Sequence, residues 1–318
     1  MAFVRVVTVC AATCSIVMAG SLDPLFERCD GVIAFGGRRW AAACAGGVGL
    51  WDAEGRSAGP RMVLATGVID LLEEGGAILA AAGPRGLARL RPGSPGRLEV
   101  MALYPRPGAV YQVAAASGGS LLLAEGSEGL AEVVIDVGGT LHERSRFDAG
   151  ALVRGVTVAG DQVLASLGAA GLLLLRRGEQ GLAEVARLPT VDAREAVLVE
   201  GSEGRQAVVA DGRGGVVVVA VEPDGLREVT RQPPLDGAAV RGLDLLGRRV
   251  LTAEGRAGGR LLGLDARGRL TVLRRFHLPE GSYLDAAFSK DGRRAAWASD
   301  RSGVVCVGLS VKTLSPGD

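Results

Sequence analysis

Ser166-Leu167-Gly168-Ala169-Ala170-Gly171-Leu172-Leu173-Leu174-Leu175 carries two glycines three residues apart, followed by an unbroken apolar run. The pattern is a small residue, a variable residue, usually Gly, two more residues, then usually Gly before apolar positions. Six further copies begin at Cys44, Ala81, Ala124, Ala210, Ala253 and Ala298, spaced with Ser166 at 37, 43, 42, 44, 43 and 45 residues. So constant a pitch marks a chain of equal units.

Each unit reads as four short strands. In 151–187, Val153–Val158 alternates and ends at the Gly160-Asp161 turn. Val163–Ser166 follows, then the Gly168–Gly171 turn, then Leu172–Leu175, and finally the more polar Leu182–Leu188. Continuous apolarity in the third run fits burial on both faces, and alternation in the fourth fits an outer strand. Turns rich in Gly and Asp supply the positive φ that tight hairpins need. Four strands per unit of about 43 residues is the period of a β-propeller blade. The expected fold is all-β: one seven-bladed β-propeller domain over 1–318, with four-stranded antiparallel blades.

Val153 to Gly160, Val163-Leu164-Ala165 and Gly171 to Leu175 resemble the bacterial LVIVD-type propeller repeat, as do Ala210-Asp211-Gly212 and Gly215 to Val219. The first and last units are more similar to WD40 repeats, through Trp51-Asp52 and Phe288-Ser289-Lys290-Asp291-Gly292-Arg293. The resemblance covers about 26–310. It implies a binding platform and carries over no catalytic residue.

Composition agrees with many tight turns. The chain has 49 glycines in 318 residues, about twice the usual share of about 7%. The formal net charge is +1, which argues against a general nucleic-acid binder. The basic residues are almost all arginine, as a biased genome would produce. Five cysteines, at 10, 14, 29, 44 and 306, contain no CxxC. In a chain this large they are expected to be structural or free, not a disulfide framework.

The seventh unit shows only three strands: Leu284–Phe288, Arg294–Ala298 and Val304–Leu309. An exposed sheet edge invites aggregation. Phe3–Val9 is a candidate for the missing outer strand. The rival reading of residues 1–19 is a secretory signal peptide, with Arg5 before the apolar run Val6–Val17. The first leaves the chain cytoplasmic and the second exports it to the envelope or periplasm. The run is too short for a transmembrane span.

No motif for chemistry stands out. His142 and His277 fall in polar outer strands, and neither has a second ligand close in sequence. There is no nucleophile elbow and no phosphate-binding Gly-x4-Gly-Lys loop. The chain is therefore expected to be non-enzymatic and monomeric, with no metal, no cofactor and no nucleic acid, and to bind a protein partner. The variable position of the repeat reads Ala45, Ala82, Glu125, Leu167, Asp211, Glu254, Ser299, and the leads into first strands add Asp30, Gln112, Arg154, Arg241 and Asp285. These are either solvated hairpin tips or a mixed-charge recognition rim, and loops on a rigid scaffold often carry function. The candidate rim residues are Arg154, Arg241, Glu125, Asp211, Glu254 and Asp285. The alternatives are an enzyme or small-ligand binder using the central channel, which needs three or more Asp, Glu or His at the axis, and an exported structural module.

Overall fold

The computed structural model describes residues 28–309, except 37–38, 60–61, 65–66, 94–96, 202–203 and 280. Within them the strands β1 to β27 form seven antiparallel sheets, six of four strands and a last one of three. The chain is a seven-bladed β-propeller. The first strand of each blade lies innermost: β1 (Cys29–Phe35), β5 (Asp70–Glu74), β9 (Gln112–Ala115), β13 (Gly155–Ala159), β17 (Glu195–Gly201), β21 (Gly242–Leu246) and β25 (Tyr283–Phe288). Each packs beside the next, and β25 packs beside β1 to close the ring.

The repeat motif is the hairpin between second and third strands. In blade four it joins β14 (Gln162–Ser166) to β15 (Leu172–Gly178). Gly171 sits at φ +83°, and a Cβ there would lie 2.2 Å from the Leu188 carbonyl oxygen, so only glycine fits. The other motif glycine, Gly168, bridges to Ala193 of the next blade. Gly83, Gly126, Gly212 and Gly255 do the same with Val110, Val153, Val240 and Tyr283. The repeated hairpin is therefore a clip between neighbouring blades.

Burial follows the expected pattern. Leu172 to Leu175 and Val216 to Val219 in third strands are fully buried. The fourth strands β16 (Gly181–Leu188) and β20 (Gly225–Gln232) keep water-exposed positions. Second strands are rich in alanine where blades crowd together, as in Ala41, Ala42 and Ala43. Ala210 and Ala253 end such strands with no exposed surface. Ala210→Leu or Ala253→Leu is expected to overpack the site and cost about 1–3 kcal/mol. Denaturant unfolding checks this, and an unchanged midpoint would contradict the register.

The cysteine expectation needs correction. Cys29 and Cys44 form a disulfide. Cys29 starts β1 and Cys44 ends β2 (Arg39–Cys44), so antiparallel register sets them opposite each other. Cys306 is a buried free thiol whose pKa burial pushes up to about 12. Blade seven has three described strands, and the expectations for residues 3–9 and 1–19 lie outside the described residues. No helix among the described residues is long and apolar enough to cross a membrane.

Candidate functional site

The hairpin acids do not form a rim. Glu125, Asp211 and Glu254 are fully buried. Glu125 pairs with Arg106 and, at 2.8 Å, with Arg146. Asp211 pairs with Arg231 at 2.7 Å and accepts the Asp192 backbone N–H at 2.8 Å. Glu254 pairs with Arg260 at 2.5 Å and accepts from the Leu235 backbone at 2.6 Å and Thr252 Oγ1 at 2.7 Å. In each blade the acid anchors the loop leading into that blade's own first strand. A lead-in loop carries backbone donors with no sheet partner, and a buried donor needs an acceptor. The uneven acids are loop anchors, and the expectation that they face solvent is corrected.

Asp285 is also displaced from the expected rim. It lies on β25 inside the ring, where its Oδ2 accepts the Val32 backbone N–H of blade one at 2.9 Å. The same device recurs around the axis. Asp70 accepts from Val113 at 3.3 Å, Gln112 from Val156 at 2.7 Å, Glu195 from Leu243 at 3.0 Å and Asp244 from Phe288 at 2.7 Å. Each side chain joins its inner strand to that of the next blade. Gly242 makes room: a Cβ there would stand 2.6 Å from Asp285 Oδ1. Loss of water around Asp285 pushes its carboxyl up to about 8, with the Asp70 and Asp244 charges adding to the shift. Burial raises Asp70 to about 7. Glu195 is pushed well above the carboxylate range by burial and then by Asp285, Asp70 and Asp244. Burial also raises Asp244. As whole residues all four are partly exposed, while their carboxyl groups are buried. Among the described residues no group of three or more His, Cys, Asp or Glu is placed to hold a metal ion.

One end of the inner ring carries a different cluster. Arg154, Arg194 and Arg241 occupy matching positions just before β13, β17 and β21. Each backbone N–H bonds the carbonyl at the end of its blade's second strand: Ser166, Ala210 and Ala253. Burial and then the neighbouring charge of Arg194, with a smaller contribution from Arg154, lower the pKa of Arg241, while Asp192 opposes them. Asp192 pairs with Arg194 at 2.7 Å. A point above Gly168 lies 3.1 Å from Arg154 Nε and 3.6 Å from Asp192 Oδ1. Among the described residues, the side chains of Arg154 and Arg241 have no hydrogen-bond or ion-pair partner. Arg154 Nε and Arg194 Nε are buried donors without an acceptor, and each such donor costs about 1–3 kcal/mol. Tyr111 holds the matching position before β9, and exposed Leu152 and Val191 flank the arginines.

With this geometry in view, the chain can be set beside known proteins. A solved structure, the Myceliophteria thermophila Cps50 (Swd1) β-propeller domain, matches with a TM-score of 0.66 and 14% identity, over 90% of this chain and 97% of that one. The shared feature is the propeller fold. At this identity the likeness extends no further. No protein-family model and no curated protein matches the chain.

Of the expected site residues, the propeller keeps Arg154 and Arg241 together at one end and takes the four acids inside. Sequence reading missed Arg194, Asp70, Glu195 and Asp244. Arg154 and Arg241 each stand 12 residues before their repeat motif, whereas Arg194 stands 16 before its own. The long strands β17 and β18 (Gly204–Ala210) account for the offset. At the opposite end, a cleft of about 40 Å³ is lined by Arg39, Trp40, Ser289, Asp291 and Arg294 among others. That volume suits a few waters. His142 is exposed on an outer strand and pairs with Asp136 at 2.8 Å. His277 is exposed just beyond β24 (Leu270–Phe276).

Proposed function

We propose that the propeller is a non-enzymatic interaction module that receives an acidic protein partner at the end bearing Arg154, Arg194 and Arg241. The carrying observation is that three arginines from successive blades lie close enough to feel one another's charge, with one carboxylate among the described residues, Asp192, against them. Arginine and tyrosine are also enriched at interface hot spots. We read the repeat strings as LVIVD-type and the source as bacterial. The Cys29–Cys44 bridge suits an oxidising compartment, and so the exported reading.

A second reading, a channel enzyme or small-ligand binder, has one observation in its favour: Asp70, Glu195, Asp244 and Asp285 meet around the axis. It ranks second because each of them already accepts a backbone N–H from the adjoining blade. That use is structural.

The test is a titration of a partner protein recovered from the native source against wild type and the double variant Arg154→Glu with Arg241→Glu, at low and high salt. Folding is expected to change by under about 0.5 kcal/mol. Affinity is expected to fall about tenfold or more, mainly through the association rate, with the difference blunted by salt. Equal affinity under both conditions would remove this end from consideration.

A further inference from the structure

We infer that the arginine cluster is a phosphoryl site, selective for a phosphomonoester dianion over a carboxylate. This rests on the acidic-ligand reading above and names its chemistry. Three observations carry it.

The first is charge. Among the described residues Arg154, Arg194 and Arg241 face one carboxylate, Asp192, which pairs with Arg194 and also acts on Arg241. The patch therefore holds two positive charges in excess. A phosphomonoester carries about −1.5 to −2 at neutral pH and matches that excess, whereas a carboxylate carries one charge and leaves the arginines repelling each other.

The second is donor supply. Arg154 Nε and Arg194 Nε are buried N–H donors lacking acceptors, and Arg241, exposed as a residue, lies close enough to feel the charge of both. A carboxylate has two coplanar oxygens and is filled by one guanidinium fork. A phosphoryl group offers three terminal oxygens in a tetrahedral arrangement, so it can take donors from several directions.

The third is rigidity. Each arginine is fixed by its backbone bond to the second strand of its blade. The clips Gly126–Val153, Gly168–Ala193 and Gly212–Val240 hold the preceding residue in each case. Asp211 and Glu254, themselves buried, secure the loops leading to Arg194 and Arg241. The backbone that carries the three arginines is therefore built into the scaffold.

The experiment titrates the full chain with O-phosphoserine, inorganic phosphate, glutamate and acetate at fixed ionic strength, by calorimetry. O-phosphoserine and phosphate are expected to bind about tenfold or more tightly than glutamate and acetate. Arg154→Gln with Arg241→Gln is expected to remove that preference while the melting transition stays in place. Arg154→Lys, which keeps the charge but loses the fork, is expected to weaken phosphoryl binding severalfold. A phosphoserine-containing peptide that binds more tightly than O-phosphoserine assigns the site to a phosphorylated protein. Equal binding assigns it to a small phosphomonoester. Equal affinity for phosphate and carboxylate, still dependent on the arginines, would overturn the phosphoryl inference and leave the acidic-partner reading standing. Anion binding indifferent to the arginines, or none, would overturn the phosphoryl inference, and the acidic-partner reading is then decided by the partner titration above.

Discussion

Arg260→Ala is expected to lower the unfolding free energy by about 3–5 kcal/mol, the cost of leaving a buried charge without its partner. Glu254 has no exposed surface and Arg260 is 2% exposed. Two contacts, at 2.5 and 3.1 Å, join them. With the guanidinium gone, the Glu254 carboxylate keeps only the Leu235 backbone and the Thr252 hydroxyl, both neutral donors. The lead-in loop of blade six is secured by the same carboxylate, so Arg241 is expected to lose its placement too. Removing both charges together, as Glu254→Gln with Arg260→Met, is expected to cost much less, since a buried pair is worth little against well-packed neutral groups. Denaturant unfolding of the three proteins checks this. A single variant no worse than the double would show that the pair is solvated.

Stability is expected to fall as pH rises from about 4 to about 8, with a loss on the order of a few kcal/mol for each strongly shifted carboxyl. The groups concerned line the channel: Asp70, raised to about 7, Asp285, raised to about 8, and Glu195 and Asp244, both raised. A folded-state value above the unfolded one favours the protonated fold. Their contribution is complete below the unfolded value near 4, declines as the unfolded chain ionises, and is gone once pH passes the folded values. The carboxyls repel one another, so their protons leave as a set. The ion-paired acids act the other way and at lower pH: arginines hold Glu132 and Glu143 below the ordinary carboxylate range, although burial opposes this. Their stabilisation is lost only as pH falls through those depressed values. Thermal melts between pH 5 and 9 are expected to show a declining midpoint. Asp70→Asn with Asp285→Asn is expected to flatten the decline and raise the midpoint at pH 8. A flat wild-type profile would mean that the channel water solvates these groups fully.

The blades were legible because their information is local. Gly168 and Gly171 mark a hairpin within six residues, and Leu172 to Leu175 mark the strand after it. The site was only half legible because its contacts cross blades. Asp211 looks like a solvated turn residue until β20 brings Arg231 against it, 20 residues on. Asp285 and its backbone partner Val32 are 253 residues apart and meet only when the ring closes. Asp70 and Asp244 are hidden in the same way, being ordinary acids in apolar strands of separate blades. Arg194 escaped notice because blade five has a longer first hairpin, which shifts it out of step with Arg154 and Arg241. Cys29 and Cys44 read as unrelated until the β1–β2 register opposes them.

The most direct test of the arginine end as the working surface is hydrogen exchange on the chain alone and with its partner bound. Protection is expected at the loops leading into the inner strands of blades three to six, around Tyr111, Arg154, Arg194 and Arg241, and no change at the opposite-end turns Gly160-Asp161 and Asp291-Gly292. Protection confined to those opposite turns, or to the outer strands carrying His142 and preceding His277, would contradict the account.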